Sequence, residues 1–169
     1  TLAEVAKALA HRTVFEFGGI EVNPTYENLI QAVHLAQREH IDFILAIGGG
    51  SVIDGSKFVA AATCYPDNPL DILHSAGSVI KQAIPVGIIL TLSATGSEMN
   101  SNAVITHKSA KTKYHFSSER LFPAFAVLDP TKTFSLAPRQ IANGVVDSFV
   151  HIIEQYLTDL ENSSVPTPS

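Results

Sequence analysis

The hydrophobic pattern of this chain alternates between short continuous apolar runs and stretches in which apolar residues recur every three or four positions. Continuous apolar runs are typical of strands that are buried in a sheet. The sequence predicts strands at residues 43–47, 84–92 and 125–129, a short strand at 13–17, and less regular strands at 103–106 and 114–116.

Helical periodicity covers most of the segments between these runs. The sequence predicts helices over residues 26–39, 51–62 and about 138–157, and the last turns of another helix in LAEVAKAL near the start. Pro24 and Pro138 stand near two of these helix starts, where a proline is well tolerated. Strands that alternate with helices imply right-handed crossovers and a largely parallel sheet covered on both faces, which is an α/β fold.

The loop after the strand at 43–47 contains three consecutive glycines, Gly48, Gly49 and Gly50, followed by Ser51. In a parallel sheet, ligands bind at the carboxyl ends of the strands. Glycines there let a phosphate approach backbone N–H groups at a helix N-terminus, whose partial positive charge favours the phosphate. Ser51 and Asp54 also have the spacing of a capping box. The alternative is that the glycines only make a tight turn.

Two familiar phosphate-binding fingerprints are not met by this loop. Gly-x-Gly-x-x-Gly fails in its usual frame, because Val52 and Ile53 occupy the stretch after the serine. The P-loop spacing is present between Gly50 and Gly55, but Ser-Lys follows where Lys-Ser or Lys-Thr is required. We therefore expect Lys57 to point elsewhere and exclude a nucleoside triphosphatase. The loop binds phosphate through its backbone or binds no phosphate.

A second loop, LTLSATGSEMNSNA, follows the strand at 84–92. It carries small hydroxyl residues, which can hydrogen-bond a ribose or a nicotinamide amide without adding bulk. These are Thr91, Ser93, Thr95 and Ser97. The same residues are equally compatible with a simple cap for a following helix.

Asp147 and His151 lie one helical turn apart on the polar arc of the predicted last helix. A surface ion pair is one interpretation, because an exposed i,i+4 pair of this kind is common and weak. The other interpretation is a half-built metal site, because one carboxylate oxygen and one imidazole nitrogen at this spacing can converge on a single ion. Two ligands are too few for a catalytic metal.

Composition limits the partners and the compartment. The net charge of −5 argues against nucleic acid, which requires clustered Lys and Arg. No apolar run approaches the roughly 20 residues of a membrane span, and we expect no membrane partner. A single cysteine, Cys64, fits a reducing cytoplasm. The start inside a helical pattern without Met, and the polar ending ENSSVPTPS, lead us to expect a piece of a longer protein.

Four segments of the chain resemble the iron-containing (group III) alcohol dehydrogenases. They are NPTYENL, FILAIGGGSVIDGSKFVAAA, IPVGIILTLSATGSEMN and PAFAVLDPTKTFSLAPRQIANGVVDSFVHIIEQYLT. Within that family the likeness is greatest to the NADPH-dependent butanol dehydrogenase and broad aldehyde reductase branch. The combination of GGGSVID with GVVDSFVHIIEQY is highly specific, whereas either motif alone is only moderately so.

The resemblance implies the N-terminal domain of a dehydroquinate synthase-like fold, with a Rossmann-like sheet and flanking helices. Residues 1–137 would be part of the dinucleotide-binding domain, 138–158 the first helix of a metal-binding helical domain that is otherwise absent, and 159–169 a linker or disordered tail. Two further ligand histidines, and the first strand with its cofactor-discriminating loop, would lie outside this chain.

The resemblance also implies a set of site residues and a reaction. Cofactor-binding positions would be Gly49, Gly50, Ser51, Asp54, Thr91, Ser93, Thr95, Ser97, Lys113 and Leu128. Asp147 and His151 would be the first two of four ligands to iron or zinc. The activity would be hydride transfer between NADP(H), with NAD(H) as the alternative, and an aldehyde or primary alcohol, in a cytoplasmic homodimer.

Other functions stay open at this point. The fragment could be a non-catalytic nucleotide-binding or subunit-contact module that reuses the sheet. Relatives on the same scaffold include polyol dehydrogenases and a synthase that cyclises a sugar phosphate. The synthase would require basic residues for the substrate phosphate, and the local sequence offers few.

Overall fold

The computed structural model describes residues 2–157. The helices are α1 (Leu2–Ala8), α2 (Tyr26–Arg38), α3 (Gly50–Cys64), α4 (Leu70–His74) and α5 (Pro138–Leu157). The strands are β1 (Ile44–Gly48), β2 (Val86–Leu90), β3 (Asn102–His107), β4 (Thr112–Ser117) and β5 (Phe125–Val127). Short 3₁₀ turns cover Ser97–Met99, Glu119–Leu121 and Pro130–Thr133.

The central sheet is parallel, in the order β1-β2-β5. Ala46 of β1 pairs with Ile88 of β2, which pairs with Ala126 of β5. The predicted α/β fold with a parallel sheet and flanking helices is therefore confirmed. The predicted strand at 84–92 is shorter in the structure, because the chain bends away from the sheet after Leu90.

The two less regular strands form an antiparallel hairpin of their own. Ala103 of β3 pairs with Phe116 of β4, and Ile105 pairs with Tyr114. Ala103, Ile105 and Phe116 are fully buried on the inner face of this hairpin. The hairpin and α2 together form a second layer, which packs on the opposite side of α3 from the parallel sheet.

Helix α3 lies between these two layers, and this position explains its composition. Ten of its 15 residues are buried, Ser56 and Lys57 among them, as expected for a helix that lies between two layers. Phe58 packs edge-on against Phe116, with the ring centroids 6.2 Å apart, and against Tyr26 at 5.8 Å. On its other side, Ile53 and Ala60 pack on the strands of the parallel sheet. Any polar side chain on this helix needs partners inside the protein.

The prediction of a strand at 13–17 is wrong. These residues run as irregular backbone, and Val14 and Phe15 are about half exposed. Val-Phe alternation supplies strand propensity, but a strand also needs a neighbour for its N–H and C=O groups. Within the described residues, β1 pairs only with β2 and leaves this segment without a partner strand. Helix α4 was not predicted, since it makes little more than one turn.

Helix α5 is confirmed at the predicted bounds, but it is mostly exposed. Gly144 is its one buried residue among those described. Val145, Phe149 and Tyr156 are at least 60% exposed, so the apolar side of the helix has no cover within residues 2–157. No helix in this part of the chain is long and apolar enough to cross a membrane. The predicted domain boundary near 137 stays a prediction, and the tail predicted at 159–169 lies outside the described residues.

Candidate functional site

Two loops meet at the carboxyl edge of the parallel sheet. They are the glycine loop, residues 48–51, and the loop at residues 91–97 that carries the four hydroxyl residues, called the hydroxyl loop below. The backbone N–H of Thr91 donates to the carbonyl of Gly48, at 3.0 Å. A Cβ added at Gly50 would lie 2.6 Å from the Thr95 hydroxyl oxygen, and one at Gly49 would lie 3.2 Å from the Leu92 side chain. The glycines therefore allow the two loops to pack closely, which is a reason for them that the sequence does not reveal.

The amino end of α3 lies within this junction. The helix begins at Gly50, with Gly49 as its N-cap, so its N-cap residue has no side chain to satisfy the first N–H groups. The predicted capping by Ser51 and Asp54 is wrong, because Ser51 is already inside the helix. Its hydroxyl instead accepts from the backbone N–H of Asn23, at 3.3 Å. An uncapped helix N-terminus at this edge is a suitable place for a phosphate.

Asp54 and Ser97 are bonded to each other and turned toward the protein. The Ser97 hydroxyl donates to Asp54 Oδ1 at 2.6 Å, and the N–H of Val104 donates to Oδ2 at 3.0 Å. Burial raises the pKa of Asp54, and these two hydrogen bonds oppose that rise. Ser97 is only 4% exposed. The predicted cofactor contacts of both residues thus involve side chains that already have protein partners.

Lys113, another predicted cofactor residue, is connected to the glycine loop through Asn23. The Lys113 ammonium donates to Asn23 Oδ1 at 2.7 Å, and Asn23 in turn donates its backbone N–H to Ser51. Asn23 has a φ of 58°, a left-handed conformation that asparagine tolerates better than most residues. Sequence reasoning missed Asn23, although its place just before a proline in a turn was a usable signal. Leu128, the last predicted contact, is 57% exposed after β5.

Asp147 and His151 lie beside the hydroxyl loop. His151 Nε2 is 3.6 Å from Asp147 Oδ2, and each side chain is about half exposed. On the same face of α5, the Ser148 hydroxyl donates to the carbonyl of Ala94 at 3.4 Å. A Cβ at Gly144 would lie only 2.8 Å from the carbonyl oxygen of Ser93. The polar arc of α5 therefore faces the carboxyl edge of the sheet.

The separation of this pair fits a shared metal ion. Two ligand atoms about 2.1 Å from a tetrahedral ion are about 3.4 Å apart, close to the observed spacing. A carboxylate oxygen and an imidazole nitrogen suit iron or zinc. No group of three or more His, Cys, Asp or Glu side chains that could hold a metal occurs within residues 2–157. The described residues thus supply two ligands and no more.

Comparison with known proteins identifies the family. The family model described as iron-containing alcohol dehydrogenase matches residues 1–130. The chain belongs to the iron-containing alcohol dehydrogenase family.

Its relatives in this family include several reductases and dehydrogenases. The chain is 55% identical over 159 residues to the NADPH-dependent aldehyde reductase YqhD of Escherichia coli, covering 93% of this chain and 41% of the relative. It is 42% identical to a probable NADH-dependent butanol dehydrogenase 1 of Bacillus subtilis, covering 91% of this chain and 40% of the relative. The predicted likeness to the butanol dehydrogenase and aldehyde reductase branch is confirmed.

Solved structures of iron-containing alcohol dehydrogenases share the fold. The crystal structure of E. coli YqhD superposes with a TM-score of 0.91 at 54% identity, over 94% of this chain and 41% of that one. The NADH-dependent butanol dehydrogenase A of Thermotoga maritima gives 0.86 at 37% identity, over 92% and 39%. The chain thus spans about two fifths of the length of these relatives and corresponds to their N-terminal part.

Proposed function

We propose that this chain is the cofactor-binding part of an NAD(P)H-dependent, metal-assisted alcohol dehydrogenase or aldehyde reductase. The observation that carries the proposal is the contact between Gly144 and the Ser93 carbonyl. This contact joins the helix of the Asp147–His151 pair to the loop that follows β2. Three sequence features separated along the chain therefore meet at one edge of the sheet, where α/β proteins bind ligands.

The glycine loop and the N-terminus of α3 would bind the cofactor pyrophosphate. Gly49, Gly50 and Ser51 present backbone N–H groups with no side-chain cap on the helix. Lys113 is exposed and lies one hydrogen-bonded residue away, so its charge can add to the attraction for phosphate. Among the hydroxyl residues, Ser93 and Thr95 are exposed, and their side chains would contact the ribose or nicotinamide end. A nicotinamide bound there would supply or accept the hydride.

Asp147 and His151 would hold one side of a divalent ion, iron or zinc, with further ligands from residues outside this chain. The ion would polarise the substrate oxygen as a Lewis acid. The protein's own part is to fix the two ligands. Ser148 and Gly144 dock the helix on the loop at Ser93 and Ala94, and this contact sets the distance from the pair to the cofactor loop.

The proposed domain division follows from the same packing. Residues before 137 contain the two buried clusters, whereas α5 buries only Gly144 among its described residues. We therefore assign residues 1–137 to the cofactor domain and α5 to the start of a helical metal-binding domain. Aldehydes and primary alcohols are the proposed substrates, because the named activities of the relatives are of this kind.

The test uses the complete natural protein that contains this chain. Wild type should oxidise NADPH in the presence of a short-chain aldehyde and should contain about one iron or zinc per subunit. Asp147→Ala should release the metal and abolish turnover, whereas Gln155→Ala, an exposed change on the same helix, should affect neither. Undiminished metal content in Asp147→Ala would overturn the proposal.

A non-catalytic dinucleotide-binding module is the second candidate function. The N-terminus of α3 at the glycine loop has no side-chain cap, and such a helix end can bind a phosphate without any metal nearby. Equilibrium binding of NADPH or NADH to the complete protein, with no aldehyde-dependent oxidation and no bound metal, would establish this alternative.

A further inference from the structure

Lys57 is a fully buried lysine in the middle of α3. Its ammonium nitrogen lies within hydrogen-bonding distance of five oxygens, all in residues 97–102, which run from the end of the hydroxyl loop to the first residue of β3. They are the carbonyls of Ser97 (2.7 Å), Asn100 (2.8 Å) and Asn102 (2.8 Å), the Ser97 hydroxyl (3.1 Å) and Asn100 Oδ1 (3.1 Å). An ammonium has three N–H donors, so every donor has an acceptor.

All hydrogen bonds of the Lys57 ammonium are to one segment of the chain, residues 97–102. A buried charge is tolerated only when it is paired and hydrogen-bonded, and here the backbone of residues 97–102 supplies the acceptors. Residues 97–101 make a 3₁₀ turn and an irregular stretch before β3 begins, so the carbonyls of this stretch lack the regular bonding of a helix or sheet. The Lys57 ammonium therefore supplies hydrogen-bond donors that backbone N–H groups would supply in a helix or sheet, and it fixes the path of this backbone.

The carboxylate of Asp54 balances the charge of the Lys57 ammonium. Asp54, one turn earlier on α3, accepts from the Ser97 hydroxyl and from the N–H of Val104. Ser97 thus bonds to both charged side chains of α3. Burial lowers the pKa of Lys57 to about 8, while the carboxylates of Asp54 and Glu98 act in the opposite direction. Residues 97–104 are held at both ends by a single helix.

From Ser97 the contacts continue into the proposed cofactor site. The N–H of Ser97 donates to the Thr95 hydroxyl at 3.2 Å, and Thr95 lies directly over Gly50. We infer that Lys57 is a positioning residue, whose ammonium holds the hydroxyl loop against the amino end of α3 in the geometry that binds the dinucleotide. The inference rests on the proposed function, since it assumes that this loop lines the cofactor.

The test compares Lys57→Met with wild type in the complete protein. Methionine replaces the apolar stem of the lysine with a chain one atom shorter and has no hydrogen-bond donor. We expect the Kd for NADPH and its KM to rise about tenfold or more, as for the loss of charge-assisted hydrogen bonds, with the KM for the aldehyde nearly unchanged. Amide hydrogen exchange should become faster in residues 93–104 and stay unchanged in α2. Lys57→Arg should not restore affinity, because a planar guanidinium does not match this cage of carbonyls.

Lys81→Met is the matched control, because Lys81 is exposed and precedes the opposite end of β2. Lys81→Met should leave the Kd for NADPH and the rates of amide hydrogen exchange as in wild type. If Lys57→Met does not fold, Asn100→Ala removes the Oδ1 acceptor of Lys57 together with the bonds of the same side chain to the Asn102 N–H and the Gly96 carbonyl, and it should give a change of the same kind.

Two results would overturn the inference. One is wild-type NADPH affinity in the folded Lys57→Met protein. The other is faster exchange spread evenly over the whole protein, which indicates a purely structural lysine. Failure of the proposed function is distinguishable in wild type itself, which would then either bind neither NADPH nor NADH or bind them without aldehyde-dependent oxidation. Exchange in residues 93–104 would still report whether Lys57 orders them.

Discussion

Gly144 of α5 lies against the carbonyl oxygen of Ser93, so closely that a Cβ on Gly144 would stand 2.8 Å from that oxygen. It is the one point on α5 where a described residue is buried. Asp147 and Ser148 follow one turn later on the same face. The closeness of this contact therefore determines how near the Asp147–His151 pair comes to the loop proposed to line the cofactor.

Gly144→Ala should separate α5 from this loop. In an ordinary helix interior, replacing glycine by alanine would raise the free energy of unfolding by about 1 kcal/mol. Here the backbone must move instead, and we expect kcat/KM for aldehyde reduction to fall about tenfold to a hundredfold, because a shift of about 1 Å near reacting groups has such an effect. Steady-state kinetics on the complete protein would measure it. Gly18→Ala, where a Cβ meets nothing within 4 Å, is the control. Unchanged kinetics in Gly144→Ala would contradict the proposed role of this contact.

Removal of the metal should separate catalysis from cofactor binding. The proposed ligands Asp147 and His151 belong to α5, whereas the proposed pyrophosphate site belongs to the loop before α3. Dialysis against a chelator should therefore abolish turnover and leave the Kd for NADPH within about twofold, which is a small free-energy difference. Re-addition of ferrous or zinc ion should restore activity. Loss of NADPH binding together with the metal would show that the two sites are not independent.

Lys113→Met should weaken dinucleotide binding more at low salt than at high salt. The ammonium is exposed and adds a favourable charge near the proposed phosphate site, and such attraction is screened by ions. We expect the Kd for NADPH to rise about tenfold at low ionic strength, as for a charge-assisted hydrogen bond. Titration at two salt concentrations would measure it, with Lys81→Met as the control. An equal effect at both concentrations would argue for a loss of the Asn23 contact instead.

The stability of the protein should carry a pH dependence that comes from Lys57. Burial lowers its pKa from 10.5 to about 8. Between these values the unfolded chain binds this proton and the folded protein does not, so the free energy of unfolding rises with pH. The slope from this group is at most about 1.4 kcal/mol per pH unit.

Lys57→Arg stays protonated throughout this range and lacks that contribution. Denaturant unfolding of both proteins at several pH values between about 8 and 10.5 would measure the difference. We expect wild type to gain stability relative to Lys57→Arg as the pH rises. A constant difference between the two proteins would contradict a lowered pKa.

Local patterns predicted most of the elements and pointed to the loops that contain the candidate site. Continuous apolar runs identified β1, β2 and β5, and helical periodicity identified α2, α3 and α5, because burial on one or both faces constrains residue type at every position. The order of these elements was enough for an α/β fold with a parallel sheet. The glycine loop, the hydroxyl loop and the Asp147–His151 pair were also visible in the sequence.

The tertiary structure decided which of those groups meet, and what each polar side chain does. The strand expected at 13–17 has no partner in the described part of the chain, and Ser51 bonds Asn23 instead of capping α3. Lys57 resembled a misplaced P-loop lysine, yet it is buried because α3 lies between two layers. Such contacts join residues 28 to 45 positions apart, and they depend on the layering and register of whole elements, which local periodicity does not contain.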